Sequence, residues 1–252
     1  MTHVATFTAD PVENPNDLTI VVIYGEFQQL ASIRPTKDNK WTRVVDTQMP
    51  FDDILYYNNQ FYAITMKGKV ISFDVTNPFN LNIKVITKEI SENEEEKEFL
   101  GSRSLVESCG ELLMVERYWD KFDTGDCEDN EACEDCEYSF DRFTVKFKVF
   151  KLSLNGPIMW VEIKSLGDVA LFLGDNCSFS IMASNFDGCL SNCIYFTQDD
   201  DTTGYGPHGP CDLGIYSVER SLFKWNFSMN PNVIAKMFER PPIWLVPKIN
   251  VY

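Results

Sequence analysis

Residues 160–200 read WVEIKSLGDVALFLGDNCSFSIMASNFDGCLSNCIYFTQDD, and the fold is decided in this stretch. Leu171–Leu173 is a short apolar run. From Phe179 to Ser184 apolar residues alternate with mostly polar ones, which predicts a strand with one apolar face. Asp187-Gly188 is typical of a turn, because glycine reaches positive φ at little steric cost. Cys193–Thr197 is again strand-like, so the stretch predicts an antiparallel sheet of short strands.

A loose repeat carries the same pattern along the whole chain. Three strand-like segments occupy equivalent places in successive units: Phe61–Thr65, Leu112–Glu116 and Cys193–Thr197. The strands predicted to follow them also correspond: Ile71–Val75, Phe147–Lys151 and Gly214–Val218. Four-stranded units of about 40–50 residues are typical of propeller blades. A single unit cannot bury both of its faces, so we predict an all-β chain, a β-propeller-like array of four-stranded antiparallel blades.

The repeat predicts one β-propeller-like domain over residues 1–252, with roughly four to five blades. This number is low for a propeller and leaves two explanations open, a truncated gene product or a family member with fewer blades. A truncated array would expose unpaired strand edges. Residues 120–141 are acidic and are predicted to be a disordered insertion between two strands, because they bury too little apolar area to offset ordering entropy.

The charge of the chain restricts its partners. Asp and Glu number 38 against 22 Lys and Arg, which gives a net charge of −16. Such a surface repels phosphate backbones and anionic lipid, so we expect neither nucleic acid nor membrane as a partner. No signal peptide and no apolar run of about 20 residues is visible. These features predict a cytoplasmic or nuclear protein whose eight cysteines are reduced.

The sequence offers weak candidates for chemistry. Cys133 and Cys136 have CxxC spacing with Cys127 upstream, but zinc prefers four ligands and neither histidine, His3 or His208, is near in sequence. No Gly-x-Ser-x-Gly nucleophile motif and no phosphate-cradling glycine loop occurs. We therefore predict no catalytic, cofactor-binding or metal-binding residues, no cofactor, and a protein that is not an enzyme.

Tryptophans mark predicted packing positions. Trp41, Trp160 and Trp225 stand at strand positions and are expected in the core or between blades, where a large aromatic ring buries much area. Trp244 lies in the sequence PPIWLVP at 241–247. Its prolines suit an edge or closing strand, since proline cannot donate to a ladder. We predict that this segment seals the last blade, with peptide binding as the second interpretation.

Several segments taken together resemble one plant family. They are GDVALFLG at 167–174, FSIMAS at 179–184, NCIYFT at 192–197, DILYY at 53–57, QFYAI at 60–64, LVESCGELLMV at 105–115, FKVFKL at 147–152 and PPIWLVP at 241–247. They resemble the plant β-propeller domain of unknown function that often follows an F-box. This family includes the KIB-type, "kink suppressed in bikini" proteins of brassinosteroid signalling. The resemblance covers nearly the whole chain and does not extend to an F-box.

The resemblance implies a function as well as a fold. It implies a non-catalytic protein-interaction module, similar to the substrate-recognition propeller of plant ubiquitin-ligase adaptors. The implied partner is a protein, such as the GSK3-like kinase that brassinosteroid-related members bind. Two alternatives stay open, a propeller-fold hydrolase and a truncated, non-functional family member.

Overall fold

The chain folds into β-sheets stacked face to face. The computed structural model describes residues 2–44, 49–75, 82–88, 100–121, 142–153, 157–174, 178–197, 212–226 and Trp244. Over these residues it contains four sheets and one 3₁₀ helix, Ala183–Asn185. The prediction of an all-β, propeller-like array of four-stranded blades is confirmed, with one exception in the fourth sheet.

The first sheet holds four antiparallel strands in chain order, β1 (Thr2–Phe7), β2 (Ile20–Tyr24), β3 (Gln29–Ile33) and β4 (Thr42–Arg43). The sequence pattern missed β1, which has little apolar periodicity. β2 (IVVIY) is a β-branched run, which suits a pleated surface.

The second sheet repeats this order with β5 (Phe51–Tyr57), β6 (Gln60–Thr65), β7 (Val70–Phe73) and β8 (Lys84–Val85). Asn58 and Asn59 connect β5 and β6 with φ of 49° and 60°. Positive φ at both central residues matches the right-handed twist of a hairpin, and asparagine tolerates it better than most residues. The two asparagines therefore form the tight turn of a hairpin between β5 and β6.

The third sheet is the longest and contains β9 (Leu100–Ser108), β10 (Glu111–Lys121), β11 (Arg142–Ser153) and β12 (Met159–Ile163). Its first hairpin turns at Cys109 and Gly110, with φ of 51° and 76°. This is the turn geometry of the second sheet at the equivalent place. Asp120 and Lys121, the first two residues of the predicted insertion 120–141, pair in the ladder between β10 and β11; residues 122–141 lie outside the described part, so the insertion stays a prediction.

The fourth sheet departs from the antiparallel prediction. Its strands are β13 (Val169–Leu173), β14 (Phe179–Met182), β15 (Cys193–Phe196), β16 (Gly214–Ser217) and β17 (Leu222–Asn226), in the order β14-β13-β15-β16-β17. β13 pairs parallel with β15 and stands between β14 and β15. A parallel strand buried on both faces tolerates a continuous apolar run, which is what Val169–Leu173 supplies.

The repeated segments occupy matching strands. Phe61–Thr65 lies in β6, Leu112–Glu116 in β10, and Cys193–Phe196 forms β15. Each pairs with the strand that follows it in the repeat, β7, β11 or β16. That strand in turn separates it from an edge strand of the sheet, β8, β12 or β17. The correspondence predicted from sequence is confirmed.

Strand β10 shows how the sheets depend on their neighbours. Successive side chains of a strand point to opposite faces. Leu112 and Met114 pack with Ile64 and Val70 of the second sheet. The intervening side chains join a cluster with the fourth sheet, whose members include Leu113, Val115, Phe147, Leu171, Leu173, Ile194, Phe196 and Tyr216. Both faces of the third sheet are thus buried by other sheets.

The first and second sheets pack in the same way. Their shared cluster includes Val21, Ile23 and Leu30 from the first sheet and Phe51, Phe61, Ala63, Ile71 and Phe73 from the second. Phe61 and Phe73 are paired across β6 and β7 and stack with ring centroids 5.6 Å apart. Aromatic pairs of this kind stabilise a sheet beyond their buried area.

Side chains also bridge the inner strands of neighbouring sheets. The Thr6 hydroxyl of β1 accepts from the backbone N–H of Tyr56 in β5 at 3.4 Å. The Asp53 carboxylate of β5 accepts from the N–H of Leu105 in β9 at 2.7 Å. Ser180 of β14 donates to the carbonyl of Glu107 in β9 at 2.9 Å. Backbone groups at the sheet edges are thereby satisfied by the adjacent sheet.

The tryptophan prediction holds for one of the three strand positions. Trp160 packs against the cluster shared by the second and third sheets. Trp41 precedes β4 and is 49% exposed, so its expected burial is wrong. Trp41 stands just before the two-residue edge strand of the first sheet. The side chain of Trp225 lies outside the described residues.

Over the described ranges, no helix has the length and apolarity that a membrane crossing requires.

Candidate protein-interaction surface

One end of the sheets gathers turns and charged groups. We name it the upper face and define it as the end at which β2, β6, β10 and β15 finish. The carbonyl of Gln28, after β2, accepts from the N–H of Phe51 at 3.1 Å. The carbonyl of Pro50 accepts from the N–H of Met66, after β6, at 3.2 Å. The start of β5 thus holds the β2–β3 and β6–β7 turns side by side.

These two turns expose large apolar side chains. Phe27 is 72% exposed and Met66 is 49% exposed. Loops carried by a rigid scaffold are the usual place for binding residues, and adjoining exposed apolar groups are candidates for contact with a partner. The upper face of the first two sheets therefore offers an aromatic ring and a flexible thioether.

A buried ionic group lies below this surface. Arg103 of β9 donates through Nε to the Glu116 carboxylate of β10 at 3.0 Å, and Tyr118 donates its hydroxyl to the same carboxylate at 2.6 Å. Arg103 also donates to the carbonyl of Met66. Buried charges need such complete pairing to offset desolvation. The pairing fixes the β6–β7 turn to the third sheet.

Asp52 borders this group from the start of β5. Burial raises the pKa of its carboxyl from the ordinary value of 3.8 to about 7, and Arg103 offsets the burial only in part. A pKa raised by desolvation means that the folded protein favours the neutral acid. The upper face therefore contains a carboxyl that changes charge near neutral pH.

We expect Asp52→Asn to change how stability depends on pH. Since the folded pKa lies above the unfolded one, the unfolded chain ionises first, and the wild-type free energy of unfolding falls as pH rises from about 4 to about 7. Asparagine does not titrate, so the free energy of unfolding of the variant should exceed that of wild type by about 1–3 kcal/mol at pH 8. This range is smaller than the full pKa shift would give, because Asp52 is half-buried and solvent screens its charge. Denaturant titrations at several pH values measure the difference.

The control is Asp187→Asn, at an exposed position, whose free energy of unfolding should follow the wild-type pH profile. An Asp52→Asn profile parallel to that of wild type would contradict the expectation.

A second buried ion pair lies at the same end of the third and fourth sheets. Arg117 of β10 donates to the Asp212 carboxylate at 2.9 Å, to the Thr197 carbonyl at 2.8 Å and to the Thr144 hydroxyl at 2.7 Å. The N–H and hydroxyl of Thr144 also donate to Asp212, at 3.0 and 2.7 Å. The Arg117 guanidinium, the Asp212 carboxylate and the N–H and hydroxyl of Thr144 are thus paired with one another, as burial requires.

This cluster ties together the anchors of two long connections. Residues 122–141 join β10 to β11, and residues 198–211 join β15 to β16. Thr144 follows the first connection, while Thr197 and Asp212 flank the second. The two connections contain twelve Asp and Glu and neither Lys nor Arg. Most of the net charge of the chain is therefore attached at the upper face.

The candidate residues from the sequence mostly fall outside the described part. Cys127, Cys133, Cys136 and His208 belong to these two connections, and the side chain of His3 in β1 is also not described. Within the described ranges, no three His, Cys, Asp or Glu side chains come close enough to hold a metal ion. Cys109, Cys189 and Cys193 are free thiols.

Sequence reasoning missed the residues that build the upper face. Arg117 and Asp212 are 95 positions apart, and nothing in either local sequence marks a pair. A weak signal was present, since Glu116 and Arg117 are charged residues within an otherwise apolar strand pattern. Such residues are buried only when paired.

Comparison with known proteins identifies the fold family. The sequence profile described as "KIB1-4 beta-propeller" matches residues 1–217. The chain is 28% identical over 215 residues to the F-box protein SKIP23 of Arabidopsis thaliana, which covers 82% of the chain and 49% of that protein. It is 34% identical over 192 residues to the putative F-box protein At1g65770 of the same plant, which covers 74% of the chain and 48% of that protein.

A third relative, the Arabidopsis thaliana F-box protein At2g17036, is 26% identical over 91% of the chain and 54% of its own length. The chain thus spans about half the length of the curated relatives it matches. The profile match covers most of the residues that form the four stacked sheets. The chain belongs to the KIB1-4 beta-propeller family.

Proposed function

We propose that the chain is a non-catalytic protein-interaction module, and that it recognises the substrate of a plant ubiquitin ligase. The observation that carries the proposal is the family match to F-box proteins over a stack of sheets whose turns project from one end. The relatives are F-box proteins, and the family profile is that of a β-propeller. A cytoplasmic or nuclear location would fit this role.

The upper face is the surface that we propose for the partner. Phe27 and Met66 supply exposed apolar contacts, and interfaces draw most of their binding energy from a few such side chains. The acidic connections attached at the same end favour a partner with a basic surface, because complementary charge speeds association and excludes wrong partners. A protein kinase is the partner class that the resemblance implies.

The proposal predicts that the upper face determines binding. The purified whole chain is measured against a panel of purified plant kinases of the GSK3-like class. Changing Phe27→Ser and Met66→Ser together should weaken the affinity at least about tenfold, since truncating an apolar anchor costs about 1.4 kcal/mol or more. Leu222→Ser is the matched control, because Leu222 is 63% exposed but follows the β16–β17 turn at the opposite end.

Two results would contradict the proposal. One is kinase binding that weakens equally in the Leu222→Ser control and in the double variant. The other is a bound kinase whose half-life in plant cells stays the same when the chain is depleted. The first would exclude the upper face as the binding surface, and the second would exclude the role in a ubiquitin ligase.

A further inference from the structure

A row of aromatic rings crosses the fourth sheet. Phe179 of β14, Phe172 of β13 and Tyr195 of β15 lie side by side, with centroids 5.2 and 4.6 Å apart and ring planes within 6° of parallel. Leu171 and Leu173 flank Phe172 in β13 and belong to the cluster shared with the third sheet. Because side chains alternate along a strand, the aromatic row lies on the opposite face.

Trp244 packs on this row. Its ring meets Phe172 edge to face, with centroids 5.0 Å apart and an interplanar angle of 81°. Its indole N–H donates to the carbonyl of Leu173 at 2.7 Å. The same carbonyl also accepts from the N–H of Thr197 at 3.2 Å and from its hydroxyl at 3.5 Å, so the indole makes the shortest of its three contacts.

Gly174 provides the space that the indole needs. A Cβ on Gly174 would stand 2.8 Å from Cδ1 and 3.2 Å from Nε1 of Trp244, and 3.1 Å from Oγ1 of Thr197. The φ of Gly174 lies outside the left-handed region, so close packing and not backbone conformation accounts for glycine here. The aromatic wall, the carbonyl acceptor and the gap at Gly174 together fit an indole.

We propose that this face of the fourth sheet is a binding site for a tryptophan side chain in a proline-flanked peptide. The chain's own Trp244, within PPIWLVP, fills the site. When Trp244 does not occupy the site, a tryptophan-bearing segment of a partner protein binds in its place. Phenylalanine or leucine would leave the Leu173 carbonyl without the indole donor, so the site selects tryptophan. Flanking prolines reduce the entropy lost on binding. This site adjoins the upper face at Thr197, whose carbonyl accepts from Arg117. It does not include Phe27 or Met66 and does not depend on the proposed function.

The test is peptide binding to the whole chain carrying Trp244→Ala. The probe is a synthetic heptapeptide, Pro-Pro-Ile-Trp-Leu-Val-Pro, measured by isothermal titration calorimetry. The variant should bind it at least about tenfold more tightly than wild type, in which Trp244 occupies the site. The same peptide with alanine in place of tryptophan should bind at least about tenfold more weakly than the parent peptide. Equal affinities for the two chains, or for the two peptides, would overturn the inference.

A second variant tests the site with Trp244 in place, in case Trp244→Ala does not fold. Gly174→Ala places a methyl group where the indole lies and should release the ring, which shifts tryptophan fluorescence to longer wavelength. Trp41→Ala, which removes an exposed indole elsewhere, should not raise affinity for the peptide. A folded Gly174→Ala chain with wild-type emission would overturn the inference as well.

Discussion

Replacing Arg117 by methionine should lower the free energy of unfolding by about 3–5 kcal/mol, the usual cost of breaking a buried ion pair from one side. Arg117 is 3% exposed and Asp212 is 7% exposed. Without the guanidinium, the Asp212 carboxylate keeps its bonds from Thr144 but loses its countercharge at the boundary of the third and fourth sheets. Equilibrium denaturation in urea measures the change, since the midpoint and slope give the free energy directly.

The matched control for Arg117 is Lys151→Met. Lys151 and Glu111 form an ion pair across β10 and β11, the strands that hold Arg117 and Thr144, but their side chains are exposed. Exposed pairs contribute at most about 1 kcal/mol. A loss for Arg117→Met that does not exceed the loss for Lys151→Met would show that Asp212 does not depend on Arg117.

Phe147→Ala should destabilise the protein by a similar amount, about 3–5 kcal/mol. The ring lies in the cluster between the third and fourth sheets, 5.1 Å from the centroid of Phe196 and 5.3 Å from that of Tyr216. Truncation removes these contacts and leaves a cavity that closely packed sheets cannot close. Thermal unfolding followed by near-ultraviolet circular dichroism reports the loss of aromatic packing.

Val145→Ala is the control for Phe147. Val145 lies two residues earlier on β11 and is 37% exposed, so its truncation removes little buried area. Its melting temperature should remain close to that of wild type. Comparable losses at both positions would mean that β11 is not packed against the fourth sheet.

The sequence predicted the repeated strands because their signals are local. Asn58-Asn59 and Cys109-Gly110 are short turn segments between strand-like runs, and the runs alternate or are β-branched. The same local signals placed β6, β10 and β15 in equivalent positions. Their burial on both faces follows from packing between sheets, which the repeat predicts in general but not residue by residue.

The fourth sheet shows where sequence reasoning ends. Val169–Leu173 is a short apolar run, and periodicity does not reveal whether such a run pairs parallel or antiparallel. Its insertion between β14 and β15 depends on the path of the chain through Ala183–Asn185 and the following turn. Phe179–Met182 consequently became an inner edge strand without a fully buried residue, although its alternation predicted an apolar face.

The upper face could not be predicted for a related reason. Its polar groups pair across large sequence distances, as Arg103 with the Met66 carbonyl and Arg117 with Asp212. Charged residues within a strand pattern indicate that partners exist but do not identify them. The prolines around Trp244 indicated a closing segment, and the structure shows the indole packed on the fourth sheet. Residues 241–243 and 245–247 lie outside the described part, so the closing role of the segment stays a prediction.

A double-mutant cycle on Arg117 and Asp212 tests most directly whether the sheets are held against each other. The cycle compares Arg117→Met, Asp212→Leu and the double variant by urea denaturation. The structure predicts that the double variant is more stable than the sum of the single losses implies, with a coupling energy of at least about 1 kcal/mol, because groups in contact are not additive. A coupling energy near zero in folded variants would show that the third and fourth sheets do not meet at this pair, and would contradict the stacked arrangement.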